Sequence, residues 1–282
     1  MLVKDALQDA SPLLFNLLRM TLAFLALALI HRRQLFPLSR QTLVSGAFVG
    51  LFLALGYQFQ TAGLALTTPA KSGFITGLVV IFVPILSAVP ALRPETTASP
   101  RWTAAFGALL AFAGLVLLTT PAGTSAREIF KTIGIGDLLT LACAFAFAAH
   151  LLAIGHMANR IPTAQLATVQ IGAAALIMAF TLPFGGRPYL HFTPRLLFAL
   201  AVTSLLATAA AFTIQSWAQQ HLPPTHTAML LTLEPVFAGI TSYVFLHEHL
   251  GLRALMGALL ILGGIAFTEL LSLVKPISIP AA

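Results

Sequence analysis

Charge is what this chain has least of. Fifteen Lys and Arg and eight Asp and Glu make up 8% of its 282 residues, against about 25% in an ordinary soluble domain. So few charged side chains cannot cover a water-facing surface. With 58% hydrophobic residues and a mean hydropathy of +0.94, most of the surface must face lipid. The single cysteine, Cys143, sits inside an apolar run, which excludes a disulfide framework and a cysteine metal centre. No GxxxxGK[ST] loop is present, so ATP-driven transport by this chain alone is excluded. No HExxH and no paired aspartates occur, so metalloprotease and phosphate-handling chemistry lack their parts. The polar/apolar alternation of a β-barrel is absent too, which leaves helices as the way to satisfy backbone hydrogen bonds in lipid.

What is present is a series of apolar runs of the length a helix needs to cross the hydrocarbon, about 20 residues. Nine spans are predicted: 12–30, 42–66, 70–92, 102–120, 136–157, 163–183, 196–219, 224–246 and 251–272. His31-Arg32-Arg33, Thr67-Thr68-Pro69, Arg93-Pro94-Glu95, Pro183 to Pro188 and Leu222-Pro223-Pro224 punctuate them. The polar N-terminal segment and the long first run, with no small-residue cleavage site, do not read as a cleavable leader. The net charge of +7 is scattered through short loops, which fits membrane-surface contact and not nucleic acid. Lys and Arg divide evenly between alternate loops, so the positive-inside rule is silent on orientation; the Arg32, Arg33 and Arg40 loop leans towards the cytoplasm.

The stretch Gly107 to Gly114 (GALLAFAG) matches Gly257 to Gly264 (GALLILGG) at five of eight positions. Upstream of each lies an apolar run with an internal proline, Pro84 in one half and Pro235 in the other. Repeated halves with kinked helices at matching places are a pattern of secondary transporters, whose sites lie near the midplane. Glycines at one-turn spacing, Gly46 with Gly50 and Gly73 with Gly77, suggest close helix–helix contacts.

Glu234 is the residue that composition least explains, being a carboxylate halfway along the apolar run 229–246. A charge at bilayer depth costs a few kcal/mol or more unless paired or wetted. Glu234 can therefore couple protons or meet a cationic solute. Equally, it can help satisfy the helix opened by Pro235, which cannot donate to the carbonyl of Leu231. Arg19, a third of the way into its span, suits a carboxylate-bearing solute or a lipid phosphate. His150 suits a proton relay or a buried structural bond. Gln58, Gln215 and Trp217 suit a cavity for a small zwitterion or amphipathic metabolite, or interhelical bonding and interfacial anchoring. Lys71 is a secondary site candidate near a helix start. His247-Glu248-His249 places no two ligands on one helical face, so no metal site is expected.

The residues Thr225 to Leu246 (THTAMLLTLEPVFAGITSYVFL), Glu248, the Gly257 helix and Glu269 resemble the EamA-type repeat of the drug/metabolite transporter superfamily. Ser11-Pro12, Arg19, Pro69 to Leu78 (PAKSGFITGL), Val83-Pro84 and the Gly107 helix resemble it more loosely. The resemblance implies an all-α polytopic membrane helix bundle, about nine transmembrane helices in two inverted repeats, 1–125 and 134–272. The first repeat lacks the family's first helix, through a mis-assigned start, a truncated gene or a nine-helix design. It also implies a secondary transporter, an exporter of small organic metabolites or drugs across the cell (inner) membrane by alternating access. Its partners would be a small-molecule substrate, protons as coupling ion, membrane lipids and, as an open option, a second copy, with no cofactor. A non-transporting or truncated membrane protein and a membrane-embedded enzyme are the alternative classes; the enzyme lacks a convergent third group beside Glu234 and His150.

Overall fold

The computed structural model describes residues 2–94, 102–119, 133–185, 187–237, 240 and 251–274. Among them the regular structure is helical, with one isolated bridge between Ala10 and Leu190. A short α1 (Leu2–Ala6) precedes α2 (Pro12–Ile30), α3 (Arg40–Leu66), α4 (Pro69–Thr76), α5 (Val79–Ala88) and α6 (Trp102–Thr119). The second half holds α7 (Ile135–Met157), α8 (Thr163–Thr181), α9 (Pro194–Ser204), α10 (Ala211–Ala218), α11 (Pro224–Leu231) and α12 (Leu252–Val274). The linker at 120–132 and the His247-Glu248-His249 triplet lie outside the described residues.

Helix starts follow local chemistry. Pro12, Pro69, Pro194 and Pro224 each open a helix, where a missing N–H costs nothing and φ is preset. The hydroxyls of Ser39, Thr68 and Thr193 accept from the backbone N–H three residues on, satisfying one of the four orphan donors at each start.

Among the described residues six helices are long and apolar enough to cross a membrane, 12–30, 40–66, 71–88, 135–157, 163–184 and 194–218, and two shorter apolar ones span 102–118 and 252–268. The chain is a polytopic helical membrane bundle. Lipid tails are as apolar as leucine, so helices here are held by close packing and interhelical hydrogen bonds. Gly46 and Gly50 let α3 lie against α8: a Cβ on Gly50 would stand 2.5 Å from the carbonyl oxygen of Gln170. Gly73 differs from its expected role, since it faces open space with nothing within 4 Å.

Among the described elements the most extensive pairing is α6 with α12. A Cβ on Gly107 would lie 2.7 Å from the carbonyl oxygen of Gly264, and one on Gly264 would lie 2.6 Å from that of Gly107. Gly114 and Gly257 face each other in the same way, at 2.5 and 2.6 Å. The two helices therefore run antiparallel, backbone on backbone, and the matched sequence stretches touch each other.

Both proline-bearing runs are broken, though not alike. Pro235 follows a break at Thr232-Leu233, where the N–H groups of both residues reach back three positions, to Met229 and Leu230. That is the opening expected where a proline cannot serve the Leu231 carbonyl. Pro84 instead stays inside α5, and the break falls at Gly77-Leu78, between α4 and α5.

Candidate functional site

Arg19 is buried, and the structure surrounds its guanidinium with acceptors. Nε donates to the Thr208 hydroxyl at 2.7 Å, while Nη2 donates to the Tyr57 hydroxyl at 3.0 Å and the Ala207 carbonyl at 3.1 Å. The guanidinium carbon also stands 4.3 Å from the Tyr57 ring centroid, a cation–π contact worth about 2 kcal/mol when desolvated. Snorkelling to a lipid phosphate is thus not what this side chain does.

The acceptors exist because the helix beneath them is irregular. Leu205–Ala210 winds as a π segment between α9 and α10, a form that widens the turn by one residue and recurs at functional sites. The Thr208 hydroxyl donates to the Thr203 carbonyl five residues back, at 2.8 Å. Arg19 takes the carbonyl of Ala207, so the polar groups freed by the wide turn are satisfied by the cation.

Tyr57 extends the site. Its ring meets Phe147 edge-on at 5.3 Å and Phe212 at 5.9 Å, which gives the charged centre an apolar, aromatic border. Asn16, fully buried, donates to the Tyr57 carbonyl at 2.9 Å and accepts from Thr61 at 3.0 Å, locking α2 to α3 beside it.

Glu234 stands just past the break after α11 and lies within the electrostatic field of Arg19 and Tyr57. It keeps exposed surface. Glu234, Arg19 and Tyr57 are therefore brought together.

The remaining candidates fall elsewhere. His150 is buried, its Nε2 2.9 Å from Gln170 Oε1, and Gln170 Nε2 donates to the Ser216 hydroxyl at 3.0 Å. This network ties α7, α8 and α10 together and borders the site through Phe212, whose ring lies 5.4 Å from the imidazole. Gln58 donates to Thr181 at 2.8 Å, and Gln215 reaches only one turn along its own helix, to Gln219 at 3.4 Å. Trp217 is 57% exposed, its ring tilted against that of His221 at 5.4 Å near the end of α10, in the manner of an interfacial tryptophan.

Lys71 pairs with Asp137, whose carboxylate also accepts from the Thr67 hydroxyl at 2.8 Å and the Gly134 amide at 2.9 Å. These contacts join the starts of α4 and α7 to the end of α3. Lys4 adds to the same end by donating to the carbonyls of Ala65 and Thr67, at 3.2 and 3.1 Å. Asp137→Ala removes the acceptor of three donors and is expected to cost about 3 kcal/mol; a thermal melt of the detergent-purified chain reads it. Across the bundle, Asp9 bonds Thr193 at 2.8 Å and Arg195 at 2.9 Å. The Thr193 hydroxyl and then the guanidinium hold Asp9 below the ordinary carboxylate range. That tie is present at neutral pH and is lost only as pH falls below the usual value of 3.8.

Tyr57, Asn16, Thr208 and Asp137 are the residues that sequence reasoning missed. A tyrosine deep in an apolar helix needs a partner for its hydroxyl, and that signal was available for Tyr57. For Thr208 none was, because threonine is unremarkable in a membrane span.

Comparison with known proteins gives a consistent picture. The model of the EamA-like transporter family matches twice, over residues 1–120 and 134–270. An uncharacterized transporter of Archaeoglobus fulgidus is 31% identical over 268 residues, 95% of this chain and 80% of that protein. The uncharacterized transporter YoaV of Bacillus subtilis is 23% identical, over 93% of this chain and 89% of its own. A crystal structure with 22% identity aligns at a TM-score of 0.76, covering 96% of this chain and 91% of that one; it supports the fold.

Proposed function

Because the chain belongs to the EamA-like transporter family and is a multi-pass membrane transporter, we propose that it exports a small organic solute across the cytoplasmic membrane by alternating access. The binding site is the space bordered by Arg19, Tyr57 and Glu234. The observation that carries this reading is Glu234 itself, a carboxyl with open surface at mid-span and in the field of a buried arginine. A carboxylate walled into apolar packing would offer a solute nothing; an exposed one in the field of a cation can bind and release both charge and protons.

The site has a cation, an anion and aromatic rings within one region, which suits a solute carrying both signs of charge and an apolar part. Arg19 takes the solute's carboxylate, Glu234 its cationic group or a proton, and Phe147 and Phe212 the apolar remainder. Lys71, His150, Gln58, Gln215 and Trp217 act in this reading as supports of the bundle and not as contacts.

Nine spans in two inverted repeats, 1–125 and 134–272, organise the movement. Supporting this layout, α6 and α12 meet antiparallel through the same glycines of the same repeated stretch, Gly107 on Gly264 and Gly114 on Gly257. That reciprocity is what a two-fold axis lying in the membrane plane produces. Aligning Pro84 with Pro235 sets buried Val83 in the place of Glu234, so only the second half contributes a carboxyl.

Glu234→Cys in a Cys143→Ser background tests the passage. A membrane-impermeant thiol reagent is expected to label it from either face, with labelling from one face protecting against the other. If no condition gives labelling from either side, the site is sealed and alternating access through it is wrong.

A further inference from the structure

We propose that the loop 31–39, with Arg32, Arg33 and Arg40, is a docking site for the headgroup of an anionic phospholipid. The loop is built, not slack. Leu35 is buried beneath it, Gln165 of α8 donates to the carbonyls of Gln34 at 3.0 Å and Pro37 at 3.4 Å, and His31 Nδ1 lies 3.4 Å from the Thr168 hydroxyl. That anchoring turns Arg32, Arg33 and Arg40 outward, all three exposed and without a hydrogen bond or ion pair among the described residues. No Asp or Glu occurs in sequence between Asp9 and Glu95 to neutralise them.

At the other end most of the described cations are paired, Arg187 being the exposed exception. Lys4 is spent on the carbonyls that end α3, Lys71 on Asp137 and Arg195 on Asp9. Lys and Arg are thus evenly divided by sequence, yet among the described residues the 31–40 end holds three exposed, unpartnered cations where the other end holds Arg187. Depth is right as well. Ile30 and Phe36 are 70% and 77% exposed, so the arginines sit where the apolar shell ends. Trp217, at the same end through the tie of Gln220 to the Ala158 carbonyl, marks the headgroup level. Three splayed guanidiniums above an exposed phenylalanine fit a phosphate over an acyl chain.

Native mass spectrometry of the full detergent-purified chain, titrated with phosphatidylglycerol or phosphatidylcholine, tests the site. Wild-type protein is expected to hold phosphatidylglycerol at least about tenfold more tightly, since each juxtamembrane arginine is worth about fivefold. The triple variant R32A/R33A/R40A is expected to lose the preference, and R32K/R33K/R40K to keep most of it. These side chains make no bond within the fold, so melting temperatures should stay level. Equal binding of the two lipids by wild type, or an undiminished preference in the alanine variant, overturns the proposal. Glycerol 3-phosphate displacing the lipid at equal concentration overturns it too, by showing a free-phosphate site. Glu234 is untouched throughout, so the result is independent of the transport reading.

Discussion

Replacing Glu234 by Gln is expected to abolish proton-coupled movement of solute while leaving the protein folded. Glutamine keeps the shape and the hydrogen-bonding reach, and it removes the charge and the titratable proton. The interaction lost is a charge-assisted contact to the solute or proton, about 1.5–3 kcal/mol, which corresponds to roughly ten- to a hundredfold in rate. Proteoliposomes loaded with a pH-sensitive dye and challenged with amino acids, amines and nucleosides provide the measurement. Wild-type vesicles should show solute-induced collapse of an imposed pH gradient, and the variant should not. Glu234→Asp, which retains the ionisable group on a shorter arm, should recover part of the signal. If the Gln variant transports at the wild-type rate with the wild-type pH profile, the carboxyl does not couple anything.

The second large effect concerns stability. At Gly114 and Gly257 a methyl group would meet an opposing carbonyl oxygen at 2.5 and 2.6 Å, and backbone cannot move aside as a side chain can. Gly114→Val or Gly257→Val must push α6 off α12 along the seam, forfeiting contacts on both sides. A loss of about 3 kcal/mol is expected, lowering the melting temperature by roughly 10 °C for a chain of this size. Gly73→Ala is the matching control. It has nothing within 4 Å and lies in helix α4, so it should be neutral or slightly stabilising. A thiol-reactive or intrinsic-fluorescence melt distinguishes the two outcomes, and equal melting of all three variants would remove the seam's special status.

These cases also show where sequence was readable. Helix placement was, because an apolar run of sufficient length between proline and polar breaks has one physical outcome in lipid: 12–30 is recovered to the residue, and 163–183 and 251–272 within two. The opening before Pro235 was readable for the same kind of reason, a missing donor. Pro84 shows the limit of that reasoning. A proline only frees a carbonyl, and the break falls instead at Gly77-Leu78, where Leu115 packs so close that a Cβ on Gly77 has no room. Glu234 and Arg19 could be singled out by their cost in lipid, but not their association, since residues 215 positions apart in sequence are joined only by the fold. Lys71 had a partner in Asp137 for the same reason. Gln58, Gln215 and Trp217 looked like cavity residues because amides and indoles suit both roles, and only neighbours decide between them.

The π segment was not readable at all, and it constrains the chain in an unusual way. Leu205-Leu206-Ala207-Thr208-Ala209-Ala210 is composed largely of good formers of ordinary helix, so outside Thr208, whose hydroxyl Arg19 uses, the kind of residue there matters little. The number of residues does matter. Deleting any one would restore common spacing and swing 211–218 by about 100°, carrying Phe212 off Tyr57 and Ser216 off Gln170. Apart from the hydroxyl at Thr208, which Arg19 requires, this stretch stores its information as length, and family members that keep the arginine should vary freely in spelling at the other five positions between Ser204 and Ala211 while never losing a letter.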